Sequence, residues 1–393
     1  MPPTDPFPDE PSPGPAKLGD LAAESGLRRV HILAWRDLAD VEAGGSELHA
    51  SMVAGRWADA GIEVTMRTSY AQGAPPETTR DGYRVVRRAG RYLVFPRAVA
   101  AELAGRHGRR DGLVEIWNGV PFFSPIWARG PKVTWLHHVH EDMWPMVLPP
   151  ALARVGQILE RRIAPPFYRG TSIITLSESS RTHLLERLRL RPADVHVVPP
   201  GIDPRFRPGD EKTPEPSVLA VGRLMPSKAF AELIDAVHRV REQVPARLTI
   251  IGEGYERDDL MRRISALGAE EWCELPGRVD DDELVRRYQR AWVVASMSRS
   301  EGWGMTLTEA AACATPAVAT RIPGHIDAVR HGVGGQLVDS DDEFVSVLAM
   351  VLRDHEHRER LREGAARQAR ELTWDRTAYE TLAVLAADSR GRS

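Results

Sequence analysis

The stretch PPGIDPRFRPGDEKTPEPSVLAVGRL, residues 199–224, ends one repeating pattern and begins it again. Six prolines fall within residues 199–216, too many for a helix or a central strand, so this segment reads as a linker. SVLAVG then has the apolar run of a buried strand. Upstream, RRVHILAW, ELHASMVAGRWADAG and IEVTMRTS read as strand, helix and strand from Leu27 onward. LVEIWN, KVTWLHHVH, SIITLSESS and DVHVVPPG continue as strands, with helical stretches such as AVAAELAGRHG and SRTHLLERLRL between them. Downstream, ARLTIIG, CELPGRV, WVVASMS and PAVAT are strands spaced by AELIDAVHRVREQ, ERDDLMRRISALG and DDELVRRYQRA. Strands spaced by helices call for parallel sheets covered on both faces. The expected fold class is therefore α/β, with two Rossmann-like, doubly wound parallel-sheet domains facing each other across a cleft. They are assigned to residues 27–200 and 201–372, with 1–26 a disordered proline-rich tail and 373–393 a C-terminal helix able to cross back to the first domain.

Length and composition agree with this division. A chain of 393 residues suits two domains, and 42% apolar with 27% charged residues suits globular folding. The formal charge of -3, from 52 basic against 55 acidic residues, gives no reason to expect nucleic acid. No apolar stretch reaches the roughly eighteen residues of a membrane span, and no leader pattern opens the chain, so a cytoplasmic location is expected. Cys273 and Cys313 provide neither a disulfide framework nor a metal set and read as inert thiols.

The chemistry concentrates where strands give way to helices. In SEGWGMTLTEAAACATPAVAT, residues 300–320, a buried strand ends and a helix of small residues begins. Gly302 and Gly304 let backbone amides approach an anion at this helix start, and Glu301 and Glu309 stand on either side of it. A nucleotide sugar offers the matching groups: sugar hydroxyls, a diphosphate and a ribose diol. Acids near helix starts are also favoured simply by the dipole, so neither glutamate carries the reading alone. VGRLMPSK adds Arg223 and Lys228 at the end of the second half's first strand, on the same sheet edge. Fixed cations there can hold a diphosphate and stabilise the charge that grows as it leaves. GGSELHA, opening a helix after Gly44 and Gly45, is either a second anion turn or a plain capped helix start.

Two motifs imitate other chemistry. GEGYER, residues 252–257, has the setting of a dinucleotide fingerprint, but Arg257 stands at the third glycine, which disfavours an NAD oxidoreductase. Asp280, Asp281 and Asp282 imitate metal-binding acids, yet they open a helix, where capping and dipole matching explain them. His137, His138 and His140 cannot all meet one ion if they lie along a strand, so no metal site is expected.

Taken together, GGSE, PPGID, VGRL with a lysine five residues after its arginine, GEG, EGWGMTLTE and the terminal TWD resemble the retaining glycosyltransferases of family 4, which have the GT-B fold. The resemblance covers nearly the whole chain after the proline-rich tail. It implies that Arg223 and Lys228 bind the diphosphate, that Glu301 contacts sugar hydroxyls and that Glu309 takes the ribose diol. Gly302, Trp303, Gly304 and Met305 match the turn whose amides meet the sugar and phosphates, and Gly44 and Gly45 match the glycine loop that closes over the donor phosphate. A histidine near the donor sugar is implied at the end of KVTWL, where strand phase favours His137, with His138 the alternate. Arg278 and Val279 match a segment near the nucleotide base.

The activity this resemblance implies is transfer of a hexosyl group from a UDP- or GDP-sugar to an acceptor hydroxyl with retention, by same-face displacement, without cofactor or metal. No carboxylate is placed by spacing as a nucleophile for double displacement. Alternatives on the same fold are a sugar-nucleotide epimerase, a glycan phosphorylase or a non-catalytic nucleotide-sugar binder. The arginines of RVVRRAGRYLVFPR and GRHGRR either draw an acidic lipid, a peripheral membrane surface or a phosphorylated acceptor, or form a solvated face. The acceptor itself is not readable.

Overall fold

Val30 to Leu33 are buried on both faces of the first strand, as expected where helices cover a parallel sheet on each side. The computed structural model describes residues 14–140 and 144–390. It divides into two units: the described residues up to Gly201 together with those from Thr373, and Ile202–Leu372.

Unit 1 is built on strands β1 (Arg29–Leu33), β2 (Glu63–Thr68), β3 (Glu77–Arg80), β4 (Tyr83–Arg87), β5 (Gly112–Ile116), β6 (Lys132–Trp135), β7 (Ser172–Thr175) and β8 (Val195–Val197). Their order is β3-β4-β2-β1-β5-β6-β7-β8. All pairs are parallel except β3 with β4, a hairpin turned by Asp81 and Gly82 at φ +44° and +76°. Both turn residues have positive φ, the conformation that matches the twist of paired strands.

Unit 2 is built on β9 (Ser217–Val221), β10 (Arg247–Ile251), β11 (Cys273–Gly277), β12 (Val293–Ser296), β13 (Ala317–Thr320) and β14 (Gly335–Val338). The order β11-β10-β9-β12-β13-β14 is wholly parallel and is the Rossmann order. Its core includes Leu233, Ile234 and Val237 from one helix and Phe344 and Leu348 from another, packed on Val218, Ala220 and Ile250. Several helices start on a side-chain cap, as where Ser340 Oγ accepts from Glu343 N–H and Asp354 Oδ1 from His357 N–H.

The reading of residues 1–26 as a disordered tail needs correction. Pro15–Ser25 is a helix, and Leu18 and Ala22 are buried in the core of unit 1. Leu18, Leu21 and Ala22 recur at helical spacing and supply an apolar stripe, which the neighbouring prolines obscured. Residues 1–13 lie outside the described residues. The helix Trp374–Arg390 belongs to unit 1, where Ala378, Leu382 and Leu385 join the core of Trp57 and Trp135. Trp57 Nε1 donates to the Ala378 carbonyl at 3.0 Å. Cys273 and Cys313 are buried free thiols that burial pushes up to about 12.

Candidate active site

In unit 2 the strand order reverses between β9 and β12, and ligand crevices of open α/β sheets lie at the carboxyl ends of the strands beside such a switch. Lys228 and Glu301 leave the sheet there. Lys228 closes a short turn, Pro226–Lys228, after β9, and Glu301 lies in the loop after β12. The Arg299 N–H donates to the Ser227 carbonyl at 2.8 Å, which ties the two loops. Lys228 Nζ and Glu301 Oε1 form an ion pair. Burial is the largest influence on the Glu301 carboxyl and would raise it, but the Lys228 and His325 charges and the hydrogen bonds from Lys228 and Ser298 together hold the group below its ordinary value.

The next helix, Met305–Ala312, starts from Gly304 at φ +97°, and no side chain caps it. A Cβ on Gly304 would lie 3.1 Å from the His325 ring, so both conformation and room require glycine. Half-buried Gly302 and buried Trp303 complete the turn. One turn on, Glu309 Oε2 accepts a 2.8 Å hydrogen bond from the hydroxyl of buried Tyr288. Burial pushes this carboxyl up to about 7, with Asp203 and Asp281 acting in the same direction and Tyr288 against it.

Other candidates fall at the same edge without touching this pair. Arg223 is exposed after β9, and Arg278 (exposed) and Val279 (half-buried) follow β11. The glycines of GEG have a packing cause. A Cβ on Gly252, at φ +151°, would fall 1.8 Å from the Gly222 carbonyl, so the loops after β9 and β10 touch backbone to backbone. Asp280 caps its helix by accepting from Glu283 N–H at 2.8 Å. Among the described residues, no group of three or more His, Cys, Asp or Glu is placed to hold a metal.

In unit 1, Gly44 precedes the helix Gly45–Asp59, and its N–H donates to Glu47 Oε2 at 2.8 Å. Glu47 also accepts from Arg36 Nε, so a carboxylate of the chain already occupies this helix start. His137 lies beyond the end of β6, so strand phase does not set its direction. It is buried, with Nε2 3.0 Å from His49 Nδ1. Burial lowers both imidazoles, His137 to about 3, so the pair is neutral and shares one N–H. The rings of His138 and His140 are 4.3 Å apart, and His140 Nε2 bonds Asn118 Oδ1.

Comparison with known proteins bears on this geometry. The family model described as glycosyl transferases group 1 matches residues 202–368, and that described as glycosyltransferase family 4 matches 43–206. The chain belongs to the family 4-like glycosyltransferases. One relative, a D-inositol 3-phosphate glycosyltransferase from Segniliparus rotundus, is 26% identical over 97% of this chain and 94% of its own. Several others of that name match over about half of their own length. Among solved structures, sucrose-phosphate synthase from Thermosynechococcus elongatus matches with TM-score 0.78, at 18% identity over 93% of this chain and 100% of that one. HepE from Anabaena, in complex with UDP and glucose, matches with TM-score 0.67, at 19% identity over 91% and 98%. These likenesses establish the GT-B fold of this glycosyltransferase.

Three residues of the glycosyltransferase had escaped the sequence reading. His325 lies under the Gly304 turn, with Nδ1 donating to the Thr320 carbonyl at 2.9 Å. Tyr288, on the helix Asp281–Arg290, holds Glu309. His49 holds His137. The Tyr288 and His49 pairings join segments distant in sequence, as does the seat of His325 beneath Gly304, and none leaves a local signal. Four of the eight arginines in the two basic stretches of unit 1 form ion pairs within it: Arg84 with Glu77, Arg87 with buried Asp37, Arg91 with Asp40 and Glu42, and Arg110 with Glu102. Among the described residues, no helix is long and apolar enough to cross a membrane.

Proposed function

We propose that this glycosyltransferase moves a hexosyl group from a uridine or guanosine diphosphate sugar to an acceptor hydroxyl with retention, using no metal or cofactor. The observation that carries the reading is the Lys228–Glu301 ion pair at the switch point, beside an uncapped helix start and one helical turn from Glu309. In this reading Lys228 and Arg223, with amides of the 302–306 turn, receive the diphosphate. Their fixed charge and dipoles stabilise the anion that grows as the bond from the anomeric carbon to the diphosphate oxygen breaks. The acceptor oxygen bonds to that carbon on the same face, and its proton passes to the departing diphosphate. Glu301 accepts from sugar hydroxyls and shares Lys228 with the phosphate, and Glu309 accepts from the ribose diol. Arg278 and Val279 are assigned to the base. The location consistent with such a donor is cytoplasmic. The name of the relatives makes a phosphorylated cyclitol the first acceptor to test.

The test is a thermal-shift panel with UDP, GDP, ADP and their sugar conjugates in the presence of EDTA. A ligand of the folded state raises the melting temperature by linkage. Stabilisation by one nucleotide family, absent in Arg223→Ala and Lys228→Ala, is expected. No shift with any nucleotide, or stabilisation only when a divalent cation replaces EDTA, would overturn the assignment.

A further inference from the structure

The segments that enter four parallel strands of unit 2 line an open cavity of about 590 Å³. Pro216, Trp292 and Pro316 stand immediately before β9, β12 and β13, and Pro245 lies just before β10. The cavity therefore opens at the amino edge of the sheet, whereas Lys228 and Glu301 lie at the carboxyl edge. It has the size of a small-molecule site and is no part of the donor site.

Its lining charge is one-sided. Lys212, Arg353, Arg358 and Arg362 face it with Glu359 as the one carboxylate of the lining, and Glu359 is already paired with Arg362 at 2.9 Å. Arg358 is buried, its guanidinium 4.1 Å over the Trp292 ring, with Nη1 donating to the carbonyls of Val351 and Leu352. Lys212 Nζ donates to the carbonyls of Ala291 and Ala314 and to Thr315 Oγ1. Both cations thus rest on neutral oxygens, and Arg362 Nε is buried without a partner. Burial lowers Lys212 to about 7, with the Arg362 charge adding to it and Glu359 acting against it. Four basic side chains against one carboxylate leave the lining with an excess of positive charge, which an anion in the cavity would offset. The remaining walls combine the apolar Val244, Leu352, Trp292 indole and three prolines with the polar Thr213, Gln243 and His355.

We propose that this cavity binds a small phosphate monoester, its dianion among Arg353, Arg358 and Arg362 and its organic part against Trp292 and Leu352. Guanidinium groups suit the phosphate because they donate in pairs to its oxygens. The site is independent of the donor assignment above.

The experiment is calorimetric titration of the full chain with phenyl phosphate, and with inorganic phosphate for comparison, under EDTA. One site is expected, at least about tenfold tighter for the ester than for the free ion, since the ester buries its apolar part as well as its phosphate. Arg353→Glu and Arg362→Glu, each with its melting temperature checked, should weaken the ester about tenfold or more, the scale of one lost charge-assisted contact. Lys228→Ala should leave it unchanged. Arg353 is exposed, so its variant keeps the fold and decides the matter alone if Arg362→Glu does not fold. Absence of binding at about 10 mM, well above useful affinity, would overturn the proposal. So would equal binding of ester and free phosphate, or loss of binding in Lys228→Ala.

Discussion

At Glu309, burial and the proposed role pull in opposite directions. The carboxyl is raised from 4.5 to about 7, so near neutrality it is close to half protonated, yet a ribose diol needs an acceptor. Donor affinity should therefore rise as pH goes from about 6 to 8, by a factor of several, and Glu309→Gln should remove this dependence and weaken binding throughout. Equilibrium titrations with the preferred nucleotide sugar at three pH values check it. The sign for stability is the reverse. The folded protein keeps this proton to higher pH than the unfolded chain, so stability falls as pH rises between 4.5 and about 7. Glu309→Gln should accordingly melt higher at pH 8, by about 2–4 °C, while binding less donor. Glu301 behaves oppositely. Its carboxyl is depressed, so the contribution of the Lys228 pair is present above the unfolded carboxylate range and disappears as pH falls through the folded value. Lys228→Met should therefore lose stability at pH 7, and its deficit against the parent should shrink as pH falls below the ordinary carboxylate range. Its turnover should drop by about two to three orders of magnitude, as for loss of one group stabilising the leaving charge. Melting curves and initial rates across that pH range separate the two effects.

At the scale of elements, what the sequence could and could not reveal follows from the range of each interaction. Helix starts and turns were legible where one residue type at one place has a physical cause, as with Asp280 before its helix or Gly304 at its left-handed position. The β3–β4 hairpin had such a signal too, the Asp81–Gly82 pair, which went unread beside the arginines around it. The loops bearing Arg223, Lys228 and Glu301 were legible because strand ends carry the ligand edge. The ion pair between Lys228 and Glu301, the Tyr288 bond to Glu309 and the His49 bond to His137 were not, because each depends on tertiary packing. The helix Pro15–Ser25 was misread for a compositional reason: prolines dominate its approach, while three apolar residues suffice to dock it. If that docking matters, Leu18→Ala should destabilise the protein by about 2–4 kcal/mol, the usual cost of emptying a buried leucine site. Denaturant melts compared with exposed Lys17→Ala check this, and equal midpoints would show that the helix adds nothing to the core.

For the whole molecule, the two units differ in how the chain builds them. Unit 1 is discontinuous, because Trp374–Arg390 lies in its core, its Thr377 Oγ1 donates to the Pro199 carbonyl at 2.7 Å, and Asp388 accepts from Lys132 N–H. Unit 2 is one uninterrupted segment, closed by the Ile202 N–H donating to the Leu372 carbonyl, with a core of its own. Residues 202–368 also match a single family model, so the segment recurs as a unit of sequence as well as of structure. Independent folding requires a self-contained core, and unit 2 has one. A fragment of residues 202–372 should melt cooperatively and retain nucleotide binding through Lys228 and Glu309, whereas removal of residues 373–393 should unfold unit 1 by stripping Leu382 and Leu385 from beside Trp57. Calorimetry of the fragment, the truncated chain and the full chain tests this directly. A fragment that melts without a cooperative transition would mean that unit 2 draws its stability from the rest of the chain. A folded fragment blind to every nucleotide would place the determinants of donor binding outside this unit.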